Sequence, residues 1–425
     1  MGKKMIRLGE IDYSILRALL YYQAVPVQAL SAFVASGWKK DVYRNLRRLQ
    51  AYGLVEQKKA VYESDGKKVT MSYVVITEQG LRFLAENKAP GCEWFHCYFT
   101  DCVAPEAGSF NLAMSSGMTA QLKVRYLKVT AVACFAMAAF PDGDFMPMAL
   151  GCSSYEEAHR ILFEDSSPEK SKHRELNKGT QNIICAYDEV YYNRKKSRYI
   201  SPKDIKMLAI QNSNDVDVNR SSSTGIISSG LKSFLAYTAI DASFLLRGYD
   251  IKHSAALLNH YKNSYMLGKE DYGKRVAVFF KNEKSFRSMF DSVGAFETDG
   301  DANISVHLFP LSPHGVRNFR QLSLIPDPEE IVVRAALESG FAKASGQYAK
   351  DFPIVHSEGY EVMFGLFFDV KKIEAYRNRL REDKEVLLCI LCYAWQEPYY
   401  RSLGFQERTN YIHFEDGYLD GYIEK

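Results

Sequence analysis

An aspartate and a lysine two positions apart, Asp369 and Lys371, follow an apolar stretch in this 425-residue chain, with Glu358 and Glu361 upstream. A metal-dependent nuclease needs a carboxylate on one strand and an acid-x-Lys pattern on the next, because the bound cation activates water and neutralises charge on the phosphodiester. An aspartate before a helix is also a common N-cap, and Lys371 would then be a first-turn cation of the segment KKIEAYRNRL. We interpret Asp369 as this helix cap and retain a metal-dependent nuclease as an alternative function.

Sulfur and imidazole ligands for zinc are a second possibility. Four of them fall within eleven residues: Cys92, His96, Cys97 and Cys102. No second pair lies nearby in sequence to complete a tetrahedral site. Cys389 and Cys392 lie in EVLLCILCYAW, a buried-strand pattern in which residues three apart face opposite sides. Both groups are therefore predicted to be reduced core residues, and neither a metal nor a cofactor is predicted.

Other catalytic patterns are missing from the sequence. It contains neither G-x-x-x-x-G-K-S/T nor G-x-G-x-x-G after a strand pattern. A relaxase would need closely paired histidines and a nucleophilic tyrosine, whereas His253 and His260, like His307 and His314, are seven positions apart. No catalytic residue is therefore predicted.

A cationic helix carries the main binding signal. Projecting residues 39–51 at 100° per residue places Val42, Leu46 and Leu49 on one side and basic and tyrosine side chains on the other. Asp41 is the one acid of this segment, so pairing within the helix cannot neutralise its cations. A solvated helix face or a protein-docking unit is the alternative to DNA binding. The candidate DNA-binding residues of the helix are Lys39, Lys40, Tyr43, Arg44, Arg47 and Arg48.

A hairpin pattern follows this helix. LVEQKKAVYE alternates toward Ser64-Asp65-Gly66-Lys67, a strong turn signal, and VTMSYVVIT forms the return strand. Lys67 and Lys68 lie at the predicted tip, where they would contact phosphates.

The elements that must position these cations surround them in sequence. One helix is predicted to start at an Asp12 N-cap, a short one at Pro26, and a closing one after Thr77. The order helix, helix, turn, helix, hairpin, helix is typical of a winged helix-turn-helix, whose third helix enters the major groove. Residues 1–88 hold 15 lysines and arginines against 8 acids, and the rest of the chain holds 39 against 43. A basic module therefore precedes a mildly acidic body.

The remaining patterns predict a mixed body. MTAQLKVRYLKVTAVACFAMAAF indicates one long buried helix within a helical connecting region, 89–210. Within 211–425, TGIISSGLKSFLAYTAI indicates a hairpin, and KRVAVFF, NISVHLFP, YEVMFGLFFDV and EVLLCILCYAW indicate apolar strands alternating with helices. The predicted fold class is α+β or α/β: a winged helix-turn-helix at 8–88, followed by a body that is nuclease-like or Rossmann-like.

Three runs resemble the winged helix of the replication-relaxation family of plasmids and integrative conjugative elements: LGEIDYSILRALLYYQAVPVQALSAF, VYRNLRRLQAYGLVEQ and SYVVITEQGLRFLAE. The resemblance spans residues 8–88 and implies a restriction-endonuclease-like body. The nuclease positions would then fall at Ser222-Ser223-Thr224-Gly225 and Phe244-Leu245-Leu246-Arg247, which contain no acid. The resemblance therefore implies a degenerate, inactive body.

The cellular setting follows from the apolar runs. The longest, VTAVACFAMAAF, has 12 residues, whereas a membrane-spanning helix needs about 20. MGKKMIRLGEIDYS lacks the apolar segment of a signal peptide, so a cytoplasmic protein without a membrane partner is predicted.

The predicted function is non-enzymatic binding of double-stranded DNA by a protein of a mobile genetic element. It would serve replication, mobilisation or their regulation, with a second copy of itself or a mobilisation or replication protein as a further partner. A metal-dependent nuclease and an effector-responsive transcription regulator are the alternatives.

Overall fold

The computed structural model describes residues 7–33, 39–64, 67–87, 118–143, 145, 197–202, 223–229, 231–240, 274–293, 304–405 and 408–423. Helices and mixed sheets occur together, as predicted for an α+β or α/β chain. The chain divides into two units. The first comprises Met1–Asn214 with Leu311–Pro313, and the second comprises Asp215–Pro310 with His314–Lys425. Within the described ranges, no helix is both long and apolar enough to cross a bilayer.

The first unit opens with a basic helical and hairpin module. Its elements are α1 (Glu10–Tyr22), β1 (Ala24–Pro26), α2 (Val27–Leu30), a 3₁₀ turn (Ser31–Phe33), α3 (Lys39–Ala51), β2 (Val55–Ser64), β3 (Lys67–Ile76) and α4 (Glu78–Glu86). β3 lies between β1 and β2 and is antiparallel to both. The strand β1 was not predicted, because three apolar residues directly after a helix carry no alternation.

Tight contacts fix α3 to the hairpin at their junction. Gly53 has φ +70° just after the helix, and the Leu54 N–H donates to Leu49 O at 3.0 Å. The Thr77 hydroxyl donates to Gly53 O at 2.5 Å and accepts from the Gly80 N–H at 3.0 Å, which caps α4. A Cβ at Gly80 would lie 2.2 Å from Leu54 O, so this close approach requires glycine.

The predicted long buried helix is confirmed as α5 (Ala120–Ala139) and packs on this module. The Tyr126 hydroxyl donates to Tyr22 O at 2.8 Å, and the buried Cys134 thiol lies 3.7 Å from Ala29 O. The strand β4 (Arg198–Ile200) lies beside α5. Residues beyond 88 therefore complete the hydrophobic core of the first unit.

The second unit contains strands β5 (Gly225–Ser228), β6 (Ser233–Ala239), β7 (Lys274–Phe280) and β8 (Ile304–Pro310), adjacent in that order. β5 and β6 are antiparallel, whereas β6, β7 and β8 are parallel, with α6 (Glu283–Val293) between β7 and β8. The predicted hairpin, strands and helix are confirmed here. Every described residue of β5 and β6 is buried, as expected for a sheet covered on both faces.

A second sheet follows within the same unit. Its elements are α7 (Pro313–Leu324), α8 (Pro328–Glu338), β9 (Ala342–Lys343), β10 (Ile354–Val355), β11 (Glu361–Phe364), α9 (Val370–Glu382), β12 (Leu388–Tyr393), α10 (Glu397–Ser402), β13 (Thr409–Phe414) and a 3₁₀ turn (Tyr418–Tyr422). The strands are adjacent in chain order, and β11, β12 and β13 are parallel. The strand predicted over YEVMFGLFFDV is shorter than expected and ends at Phe364.

Aromatic rings join the two sheets of the second unit. Phe286 on α6 lies 4.9 Å from Phe368, which follows β11, and Phe368 lies 5.2 Å from Tyr400 on α10, measured between ring centroids. Phe368 has φ +43°, a conformation that an aromatic residue rarely adopts. The adjacent Asp369 forms an isolated bridge with His307 in β8. Burial lowers the pKa of His307 below its ordinary value.

Candidate nucleic-acid interface

The predicted two-sided character of α3 is confirmed. Val42, Leu46 and Leu49 are buried, whereas Tyr43 is 42% exposed and Arg47 is exposed. The Arg44 side chain is 74% exposed, and its guanidinium lies 3.2 Å from Asp41 one turn earlier. The Asp41 side chain is 24% exposed, but the guanidinium end of the pair lies in solvent, where an ion pair contributes little and exchanges readily for another anion. Tyr43, Arg44 and Arg47 therefore form an accessible stripe on α3, opposite its core face.

Arg48 lies on the same helix, but its guanidinium is bound by other residues of the protein. It forms an ion pair with Asp12, whose side chain is fully buried, and its Nη2 donates to Asn45 Oδ1 at 2.9 Å. The prediction of Asp12 as an N-cap was wrong. Helix α1 begins at Glu10, and Asp12 accepts the N–H of the capping residue Gly9 at 2.9 Å. The helix starts earlier because a third-position carboxylate can satisfy a free N–H at the helix start.

Three of the predicted lysines are placed by their backbone alone. Lys39 and Lys40 start α3, and Lys67 starts β3. Their side chains lie outside the described part of the structure. Lys68 is exposed in β3.

The hairpin register identifies a cation that the sequence analysis missed. Lys59 faces Ser72, Val61 faces Thr70 and Glu63 faces Lys68. Directly opposed residues share one face of a sheet, so this outer face carries two lysines and two hydroxyls together with Val61 and one acid, Glu63. Lys59 and Lys68 are both exposed, whereas Lys58 points to the other face, where its ammonium pairs with Glu56 at 3.0 Å. Strand alternation, counted outward from the turn, could have found Lys59.

Two of the three acids considered for metal-dependent cleavage have structural partners. The Asp369 Oδ1 accepts the Lys371 N–H at 2.9 Å and caps α9, which confirms the helix-cap interpretation. Glu361 accepts two hydrogen bonds from Arg379, at 2.9 and 2.6 Å. These hydrogen bonds to Glu361 raise the pKa of Arg379. Glu358 lies in an exposed turn.

The cysteine predictions are confirmed where the structure describes them. Cys389 and Cys392 are buried free thiols in β12, and burial raises the pKa of Cys389 to about 12. Four candidate ligands lie outside the described residues: Cys92, His96, Cys97 and Cys102. Among the side chains that the structure does describe, no three histidine, cysteine or acidic residues are grouped to hold a metal ion.

Comparisons with protein-family models, with curated proteins and with solved structures gave no match to this chain.

Proposed function

We propose that residues 8–88 are a winged helix-turn-helix that binds double-stranded DNA by inserting α3 into the major groove. The stripe of Tyr43, Arg44 and Arg47, exposed opposite a buried face, is the observation that carries this proposal. The order of three helices, a long hairpin and a closing helix supports it, because α3 then occupies the position of a recognition helix.

The chemistry of the stripe suits a base edge or a phosphate. An arginine can donate two parallel hydrogen bonds to guanine or to a phosphate group. The pairing of Arg44 with Asp41 is no obstacle, since the Arg44 end of the pair is solvent-exposed and can bind another anion. Tyr43 adds a hydroxyl and an aromatic surface beside the two guanidinium groups.

The hairpin would act as the wing and would position the protein on DNA. Lys59, Lys68 and the hydroxyls of Thr70 and Ser72 share its outer face. These groups can bind phosphate oxygens. They lack the two-pronged guanidinium of arginine and the amide of asparagine or glutamine, which discriminate between bases. The wing is therefore proposed to contribute affinity that is independent of DNA sequence.

The second unit is proposed to be a non-enzymatic, restriction-endonuclease-like body. The capping role of Asp369 and the pairing of Glu361 with Arg379 favour binding without cleavage, because both carboxylates already have partners. The protein would then act in the cytoplasm, in the replication, mobilisation or regulation of a plasmid or conjugative element, as a member of the replication-relaxation family. A second copy or a mobilisation or replication protein would dock on this body.

The experiment measures binding of the full chain to labelled duplexes, one of random sequence and one from upstream of its own gene. Arg44→Ala combined with Arg47→Ala should cost about 1 to 3 kcal/mol for each base that the variant no longer reads. Removal of two exposed arginines elsewhere, Arg82→Ala with Arg334→Ala, is the charge-matched control and should leave binding nearly unchanged.

A second arm of the same experiment tests the wing. Lys59→Gln and Lys68→Gln should weaken both duplexes alike and reduce the slope of log K against log salt by roughly 0.9 for each phosphate contact. Wild-type affinity in the Arg44 and Arg47 double variant at physiological salt would contradict the proposed function.

A further inference from the structure

One guanidinium links α1 to α3. Arg48 pairs with Asp12 across 36 residues of sequence and also donates to Asn45 on its own helix. The Asp12 side chain is fully buried, and its Oδ2 accepts the Gly9 N–H as well. The Arg48 side chain is 41% exposed, so part of it reaches solvent while its charged end contacts the interior. Arg48 therefore joins the core to the surface of α3.

The burial of Asp12 makes this link energetically important. A carboxylate removed from water is costly unless an opposite charge and hydrogen bonds compensate it. In the described structure Asp12 Oδ1 and Asn45 Nδ2 are buried without a hydrogen-bond partner. The compensation of the Asp12 charge therefore depends on Oδ2, where Arg48 is the cationic partner.

The position of Arg48 on α3 connects this pair to the exposed stripe. Arg47 is its neighbour in sequence, and Arg44 lies one turn earlier. Because side chains project from a helix at fixed angles, holding Arg48 against α1 adds to the buried Val42, Leu46 and Leu49 in fixing the rotation of α3 about its axis. The same rotation sets the directions of Tyr43, Arg44 and Arg47. Side chains that read a ligand must be held within roughly 0.5 Å of their productive geometry.

We propose that Arg48 is a positioning residue for DNA recognition and not a phosphate contact. Through Asp12 and Asn45 it sets the orientation of α3, and Tyr43, Arg44 and Arg47 make the contacts. This inference rests on the proposed DNA binding by α3.

The test compares Arg48 with a proposed phosphate contact of the wing, in the full chain. Lys68→Gln should flatten the slope of log K against log salt by roughly 0.9, because it removes a cation proposed to meet a phosphate. Arg48→Met should lower affinity by roughly tenfold with the wild-type slope, because every phosphate contact remains. The probes are a labelled duplex of random sequence and one from upstream of the protein's own gene.

Asp12→Asn supplies the second measurement, since it keeps the shape of the side chain and every cation of α3. It should lower affinity at an unchanged slope, and its combination with Arg48→Met should lower affinity no further, because both changes break the same ion pair. Circular dichroism checks that each variant folds. If Arg48→Met does not fold, the Asp12→Asn result alone decides.

The outcomes separate the two proposals. A flattened slope in Arg48→Met, or wild-type binding by Asp12→Asn, would overturn the positioning role while leaving DNA binding by α3 intact. Equal binding by the wild type and by the Arg44 and Arg47 double variant would overturn the proposed function and this inference together.

Discussion

Helices α3 and α9 have similar compositions and use them in opposite ways. Each has 13 residues, five of them lysine or arginine, and each contains the tripeptide Tyr-Arg-Asn. In α3, Tyr43 is 42% exposed and Asn45 is buried. In α9, Tyr376 is fully buried and Asn378 is exposed. The tyrosine of the tripeptide therefore faces solvent in α3 and the core in α9. The reason is that the buried Val42 and Leu46 define the core face of α3, whereas the buried Ile373 defines that of α9.

The cations of the two helices differ accordingly. In α9, Arg379 is held by Glu361, Lys372 pairs with Glu329, and the Arg377 guanidinium lies 4.5 Å from the ring centroid of Phe290. In α3, Arg48 is held by Asp12, but Arg44 is 74% exposed and pairs, among the described residues, only with Asp41 one turn earlier. A count of cations therefore does not identify a DNA-binding helix. What distinguishes α3 is the lack of packed partners for its exposed stripe within the described structure.

The largest expected contrast concerns the two tyrosines. Tyr376→Ala should reduce the free energy of unfolding by about 3 to 5 kcal/mol, because it leaves a cavity and removes a hydrogen bond to Thr409. Tyr43→Ala should change it by less than about 0.5 kcal/mol, as for most surface substitutions. Chemical denaturation of both variants measures the difference. Similar reductions would mean that Tyr43 also packs against protein.

The next contrast concerns two arginines. Arg379→Met should reduce the free energy of unfolding by roughly 1 to 3 kcal/mol, because the half-buried Glu361 loses two charged hydrogen bonds. Arg47→Met should leave that free energy nearly unchanged and weaken DNA binding instead. Denaturation and DNA titration of the same two proteins form the measurement. Weaker DNA binding in a folded Arg379→Met variant would place α9 in the interface as well.

The smallest effect is expected at the start of α9. Asp369→Ala removes the cap and should cost about 1 kcal/mol in the free energy of unfolding. Supercoiled plasmid incubated with Mg²⁺ or Mn²⁺ should stay intact with either the wild type or this variant. Nicking by the wild type that disappears in Asp369→Ala would support the nuclease alternative. The start of α9 would then act on DNA and would no longer be purely structural.

Local patterns predicted the elements whose signals lie within one segment. The two-sided pattern of α3, the paired strands of the hairpin and the Asp369 cap all depend on neighbouring residues. The apolar runs of β7 and β12 were equally clear, because strands covered on both faces need no alternation.

The features that the sequence did not reveal depend on contacts between distant residues. The pairing of Asp12 with Arg48 joins positions 36 apart, and the short strand β1 exists only through its pairing with β3. The helices α7, α8 and α10 were not predicted, although Pro313 and Pro328 at the starts of two of them are recognisable start signals. Lys59 is an exception, because its position on the outer face follows from the hairpin register, which strand alternation counted from the turn would have given.

The packing of α5 on the N-terminal module has a consequence for synthesis of the chain. The module's sheet and first helices would emerge from the ribosome well before α5, which contributes the buried Phe135 and the hydroxyl of Tyr126 to their core. Domains generally fold as units while the chain is made. The nascent module would therefore remain incompletely buried while roughly 50 further residues are added, which takes on the order of seconds at about 5 to 20 residues per second. The module should therefore gain its full stability only when translation has passed α5, and premature termination before that helix should yield a fragment that is a substrate for proteolysis.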